Sequence, residues 1–171
     1  GYFSVEYAGS EAGLKGDFDF TRYRFEVVRY NRLSSRHGLD FRLRGGFSDA
    51  PLPRQRLFYL GGGGSLRGYD FKAFVGDNML LFNTEYRLHF GPAIQPDKIR
   101  ANRLTATLFL DTGYTWYDDE KVTLERLNTS IGMGLAFNGG VSTADTLKIE
   151  VARALRERHN ITLTLRLARM F

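Results

Sequence analysis

Ile161-Thr162-Leu163-Thr164-Leu165-Arg166-Leu167-Ala168-Arg169-Met170-Phe171 decides the fold of this chain. Ile161, Leu163, Leu165 and Leu167 fall on one side of an extended backbone, and Thr162, Thr164, Arg166 and Ala168 fall on the other. A period of two over this length belongs to a β-strand with one apolar and one polar face. The same period recurs upstream. Leu80, Phe82, Tyr86, Leu88 and Phe90 alternate with Asn83, Glu85, Arg87 and His89; Leu104, Ala106, Leu108, Leu110 and Tyr114 alternate with Thr105, Thr107, Asp111 and Gly113.

Five further segments follow the pattern. They centre on Phe3–Tyr7, Tyr23–Val27 (between Arg22, Arg24, Glu26 and Val28), Leu39–Leu43 (around Asp40, Arg42 and Arg44), Ile131–Phe137 and Leu147–Val151. In the last two, the polar side holds Ser130, Gly132, Gly134 and Ala136, then Lys148, Glu150 and Ala152. The reading is eight antiparallel strands of about 9 to 13 residues, the length of a tilted membrane-crossing strand and longer than the usual soluble one.

Composition points the same way. The 171 residues suffice for one domain, and no linker or internal repeat divides them. Hydrophobic residues make up 43% but are dispersed: Met79-Leu80-Leu81-Phe82 is among the longest apolar runs, far short of a membrane helix. Aromatic residues at 14% and 19 glycines, without long apolar runs, suit a transmembrane barrel. The opening residues do not resemble a signal peptide, which leaves a mature chain, a fragment or a cytoplasmic protein. With no cysteine, disulfide frameworks and thiolate metal sites are excluded. The net charge of +5 comes from scattered Arg and Lys rather than a basic block.

The alternative fold is a soluble barrel or sandwich with its apolar face inward. Against it stand the charges on nearly every polar face and the paired Gly132 and Gly134, which suit a polar interior with something pressed against it. Tyr7, Tyr23, Tyr114, Trp116 and Phe171 near strand ends fit interfacial aromatic girdles. Loops alternate between two sides: residues 9–19, 50–77, 117–128 and 156–160 on one, 34–38, 91–102 and 138–145 on the other. The short-turn rule of bacterial barrels puts loop 50–77 outside, although the long segment 91–102 fits that rule poorly.

Within that loop, Leu60-Gly61-Gly62-Gly63-Gly64-Ser65-Leu66-Arg67-Gly68-Tyr69-Asp70-Phe71 joins four glycines to a lone arginine. Such a backbone can pack closely while presenting one guanidinium. Arg67-Gly68-Tyr69 after the glycines resembles the signature loop of the BamA/TamA superfamily of outer-membrane assembly and translocation barrels. Phe109-Leu110-Asp111-Thr112-Gly113 is similar to that family's Phe-x-Asp-x-Gly strand, and Asn83-Thr84-Glu85-Tyr86-Arg87 to the acidic strand after the signature loop. Leu165, Leu167 and the terminal Phe171 resemble its targeting signal.

The resemblance covers essentially the whole chain and implies an outer-membrane location and a role in inserting or secreting other proteins. It implies that Arg67, within Gly62, Gly63, Leu66, Arg67, Gly68 and Tyr69, enters the lumen of a single barrel domain spanning 1–171. There it would pair with Asp111 and Glu85, with Gly113, Gly132 and Gly134 leaving room. The family barrel has sixteen strands, so these eight correspond to its C-terminal half. The remainder would come from a longer chain or a homodimer partner; otherwise the loop sits outside a small barrel. The partners implied are outer-membrane lipids and client β-strand polypeptides.

An enzymatic reading finds little. Gly63-Gly64-Ser65-Leu66-Arg67 lacks the closing glycine of a nucleophile elbow. Asp118-Asp119-Glu120 is an acidic loop triplet of the solvated kind. His37, His89 and His159 are too scattered for a metal site, and Gly61–Gly64 lacks the Lys-Ser/Thr of a phosphate loop. Basic and aromatic residues occupy opposite strand faces, so no nucleic-acid groove forms. The expectation is no enzyme, no metal, no cofactor and no nucleic acid. Two other roles remain: the membrane anchor of a patatin-like lipase, and a small self-assembling barrel with no insertase role.

Overall fold

The computed structural model describes residues 1–8, 19–90, 103–120, 123–138, 145–156 and 161–169. Among the described residues ten strands form: β1 (Tyr2–Ala8), β2 (Phe20–Arg32), β3 (His37–Ser48), β4 (Phe58–Leu60), β5 (Phe74–Gly76), β6 (Asn78–Phe90), β7 (Arg103–Trp116), β8 (Asn128–Asn138), β9 (Asp145–Ala154) and β10 (Ile161–Arg169). Eight of them make one antiparallel sheet in the order β1-β2-β3-β6-β7-β8-β9-β10. These are the eight alternating segments of the sequence, each hydrogen-bonded to its neighbour in the chain. Among the described residues β1 and β10 are not paired with each other, so the sheet is open at both edges.

The apolar face is the exposed one. Leu108, Met133 and Leu163 are 56%, 61% and 70% exposed, as are Val27, Phe82, Leu135, Ile149 and Leu165 to lesser or similar degrees. The opposite face holds the buried polar residues Asn83, Thr107, Asp111, Ser130 and Glu150. This is the reverse of a soluble sheet, where the apolar side is packed away from water, so the inward-facing alternative is not the one observed.

An aromatic group gathers near the loop 50–77 end of the sheet. Phe47 stacks on Phe25 and meets Trp116 edge-on at 6.0 Å, and Trp116 stacks on Tyr114 at 5.6 Å. Tyr23 pairs across strands with Phe47. Tyr114, expected among exposed girdle residues, is buried. Phe171 and the loops 91–102 and 157–160 lie outside the described residues, as do most of 9–19 and of 138–145, and the Tyr7 side chain is also undescribed.

Loop 50–77 lies over the polar face and brings its own small sheet, β4 paired with β5 through Phe58↔Gly76, Tyr59↔Val75 and Leu60↔Phe74. Its underside forms the main apolar cluster, with Leu52, Phe58, Leu60, Leu66 and Tyr69 packed on Phe20, Met79, Leu81 and Ala154. The run Met79-Leu80-Leu81-Phe82 therefore serves two surfaces. Leu80 and Phe82 join the exposed apolar face, while Met79 and Leu81 form a base for the loop. The loop's base is tied by Leu52 N–H donating to Asp77 at 2.7 Å and by Asn78 Nδ2 donating to Asp118 at 2.6 Å.

Candidate functional site: an arginine shared by three carboxylates

The glycine run lets the loop turn tightly above the sheet. Gly61 and Gly68 adopt φ of 117° and 91°, where any other residue is strained. A Cβ at Gly61 would also lie 2.1 Å from Asp70 O, and one at Gly68 3.1 Å from the β9 backbone at Arg153 and Ala154. Ser65 closes the turn, its hydroxyl accepting from Gly61 N–H at 2.9 Å and donating to Gly61 O at 3.0 Å. Gly62 N–H donates to Tyr69 O at 3.0 Å, and Tyr69 OH donates to Thr129 O on β8 at 3.1 Å. Leu66, wholly buried, and Tyr69 thus flank Arg67 as packing anchors.

Arg67 is directed at the sheet. Its Nε and Nη2 each donate to the Asp111 carboxylate at 2.7 Å, a two-pronged pairing, while its backbone N–H donates to the same carboxylate at 3.1 Å. Nη1 donates to Glu85 and to Glu150, both at 2.9 Å. The guanidinium plane lies 3.4 Å above the centre of the Phe109 ring. A planar cation with five fixed donors can serve three acceptors and an aromatic face at once; a lysine ammonium cannot. Burial by itself would make the charged guanidinium less favourable. Hydrogen bonds and attraction from Asp111, then Glu85, outweigh that and hold its pKa above the usual arginine value.

Strand register explains the convergence. Asn83 on β6 pairs with Asp111 on β7 and Glu85 with Phe109, so both acids flank the Phe109 ring. Asn83 Nδ2 donates to Asp111 at 2.7 Å and to Ser65 O at 2.9 Å, fixing carboxylate and loop together. Glu150 comes from β9, with all of β8 between it and Asp111's strand. It reaches Arg67 because β8 presents glycines there: Phe109 pairs with Gly132 and Glu150 with Gly134. A Cβ at Gly134 would meet Thr107 Oγ1 at 2.8 Å and Glu150 Cγ at 3.0 Å, and one at Gly132 would meet the Phe109 ring at 2.2 Å.

Gly132 and Gly134 thus leave space chiefly for wall side chains that carry the arginine, whereas the sequence reading gave that space to the loop itself. Gly113 does face the loop, with Leu60 Cδ1 2.7 Å from where its Cβ would stand. Gly62 and Gly63 belong to the turn; Gly63 lies against the Arg166 guanidinium.

Lys148 sits 3.0 Å from Glu150 and 3.5 Å from Glu85, and Arg166 on β10 also pairs with Glu150. The cluster thus contains three cations and three carboxylates, with Asp111 and Glu150 almost fully buried. An uncompensated carboxylate there would be costly, which explains the balance. Glu150, Lys148 and Arg166 are visible in the sequence only as strand residues, and Phe109 only as part of the Phe-x-Asp-x-Gly segment. Their common signal was the parity that puts them on the polar face, and parity does not say which rows meet. Leu165 lies on the exposed face of β10; Leu167 is in β10 with its side chain undescribed, and Phe171 lies outside the described residues.

The assembly is a loop held on a sheet by one shared cation. A family model described as Omp85 superfamily domain matches residues 1–162. Comparison with curated proteins finds no match. The family match takes in β1 to β9 and only the first two residues of β10, and with them the signature loop and the acids beneath it. The chain belongs to the Omp85 superfamily, whose members are outer-membrane proteins of the assembly and translocation type.

Proposed function

We propose that this chain is outer-membrane β-barrel wall of the kind that assists insertion or secretion of other outer-membrane proteins, with loop 50–77 folded into the barrel lumen. The observation that carries this reading is the inverted sheet whose polar face holds a loop pinned by Arg67 to Asp111, Glu85 and Glu150, in a chain of this superfamily. An exposed apolar face contacts lipid, and a charged inner face accommodates an ordered plug.

The two open edges support a mechanism. Among the described residues each of β1 and β10 pairs on one side only, leaving backbone donors and acceptors with which an incoming strand can pair. Eight strands enclose an interior filled by side chains alone. The ordered loop therefore favours a larger barrel, completed by further strands of a longer chain or by a second copy.

The test is reconstitution into lipid vesicles, followed by addition of an urea-unfolded small outer-membrane barrel as client. Faster client folding than in vesicles holding an unrelated barrel of similar size supports the reading. Equal rates in the two preparations refute the insertion role.

A further inference from the structure

The polar face has a second charged region, with an excess of cations where the Arg67 cluster is balanced. Over β2 and β3 it carries Arg22, Arg24, Arg42 and Arg44, and the register decides which of them are satisfied. Arg22 stands across from Glu6 on β1, and Arg44 across from Glu26. Both pair, at 3.4 Å and 2.7 Å. Arg24 lies between them on β2, but its cross-strand partners are Ser4 and Gly46. No acid stands directly across from it, and among the described residues its side chain makes no hydrogen bond or ion pair.

The loop roofs this region. The Phe58 ring fills the space above Gly46, where a Cβ would come within 2.3 Å of it, and the Arg22 guanidinium lies 4.1 Å over that ring. Arg44 Nη2 donates to Gly64 O at 2.9 Å. What remains is a cavity of about 300 Å³ lined by Arg22, Arg24 and Arg44 and by Phe58, Tyr59 and Phe71, with no carboxylate among the described residues of its wall. Arg22 Nε is buried and, among the described residues, has no hydrogen-bond partner.

We propose that this cavity is a binding site for a phosphate group. Arg22 and Arg44 are held in place by Glu6, Glu26 and Gly64 before any ligand arrives, which lowers the ordering cost of binding. Arg24 supplies an uncommitted fork of donors matched to phosphate oxygens. A carboxylate would fill one such fork, whereas a phosphate has oxygens for all three guanidinium groups. The aromatic side of the cavity accommodates the organic part of a phosphomonoester, borne either by a soluble compound or by a lipid headgroup. This site is separate from the Arg67 cluster and stands whether or not the chain inserts clients.

Calorimetric titration of the detergent-purified chain, at constant ionic strength, tests it. Inorganic phosphate, acetate and micelles doped with phosphatidic acid are the probes. Phosphate is expected to bind saturably and acetate not to. Arg24→Gln should weaken phosphate binding by about tenfold or more, the size of a lost charge-assisted hydrogen bond. Arg24→Lys should fall between, and Arg36→Gln, in the distant β2–β3 turn, should bind as the unaltered chain does. Arg24-dependent binding that is tighter for the doped micelles assigns a lipid source; the reverse assigns a soluble one. No saturable phosphate binding, equal binding of acetate, or an Arg24→Gln variant that binds undiminished overturns the proposal.

Discussion

Arg67→Met is the most informative perturbation of the loop. Methionine keeps much of the side-chain length but removes the charge and every side-chain donor. Lys148 and Arg166 remain beside Glu150, and Lys148 remains beside Glu85. The stranded group is Asp111, fully buried, left with Asn83 and the residue 67 backbone N–H. Removing one partner of a buried pair costs about 3–5 kcal/mol. With a urea dependence of about 2–3 kcal/mol per molar, that moves the unfolding midpoint down by about 1–2.5 M. The assay is equilibrium urea unfolding in micelles followed by Trp116, the only tryptophan in the chain. Asp111→Asn in the same background removes the stranded charge, so the double variant should lose less than the two single losses added together, by about 2 kcal/mol. An unfolding free energy for Arg67→Met within about 1 kcal/mol of the parent's, or a coupling near zero, refutes the account of the pin.

Other outcomes follow from the same geometry. Gly132→Ala forces a methyl group into the Phe109 ring and to 2.4 Å from Val151 O, and should cost about 1–3 kcal/mol in the same unfolding assay. Gly134→Val should push Glu150 off Arg67; in that background Glu150→Gln should change stability much less than it does in the parent, and an equal change in both would contradict the crossing of β8. Gly68→Ala strains a positive φ against the β9 backbone, and increased protease cutting within 50–77, with the sheet still resistant to heat in detergent, is the expected readout. Asn83→Leu removes the donor shared by Asp111 and Ser65 O and should lower stability by about 1–3 kcal/mol.

What the sequence made legible was the sheet, because a wall between lipid and a polar interior imposes a period of two on every strand. Ile161 to Leu165 show it plainly, and so do Leu104 to Leu110. The small sheet β4–β5 was not legible: three residues on each side are too few to show a period, and Phe58 to Leu60 are ordered by what they cover. Asp111 and Glu85 could be named because the resemblance to the family's strand motifs singles them out and both fall on the polar parity. Glu150 could not be singled out from Lys148 or Arg166, since its reach to Arg67 depends on the register across β8 and on two missing side chains. The same register leaves Arg24 facing Ser4 and Gly46 while its neighbours face acids, a difference that strand alternation alone cannot reveal.

The central claim is that the apolar face meets lipid while the polar face holds the loop. The chain has no cysteine, so single cysteines at Leu104, Thr105, Thr107, Leu108 and Leu110 of β7 can each carry a fluorophore. Quenching by spin-labelled lipid, measured in vesicles, reads the exposure of each position to the bilayer. The account predicts strong quenching at 104, 108 and 110 and little at 105 and 107, where the native threonines are buried. Uniform quenching along the strand, or stronger quenching at 105 and 107, would contradict it.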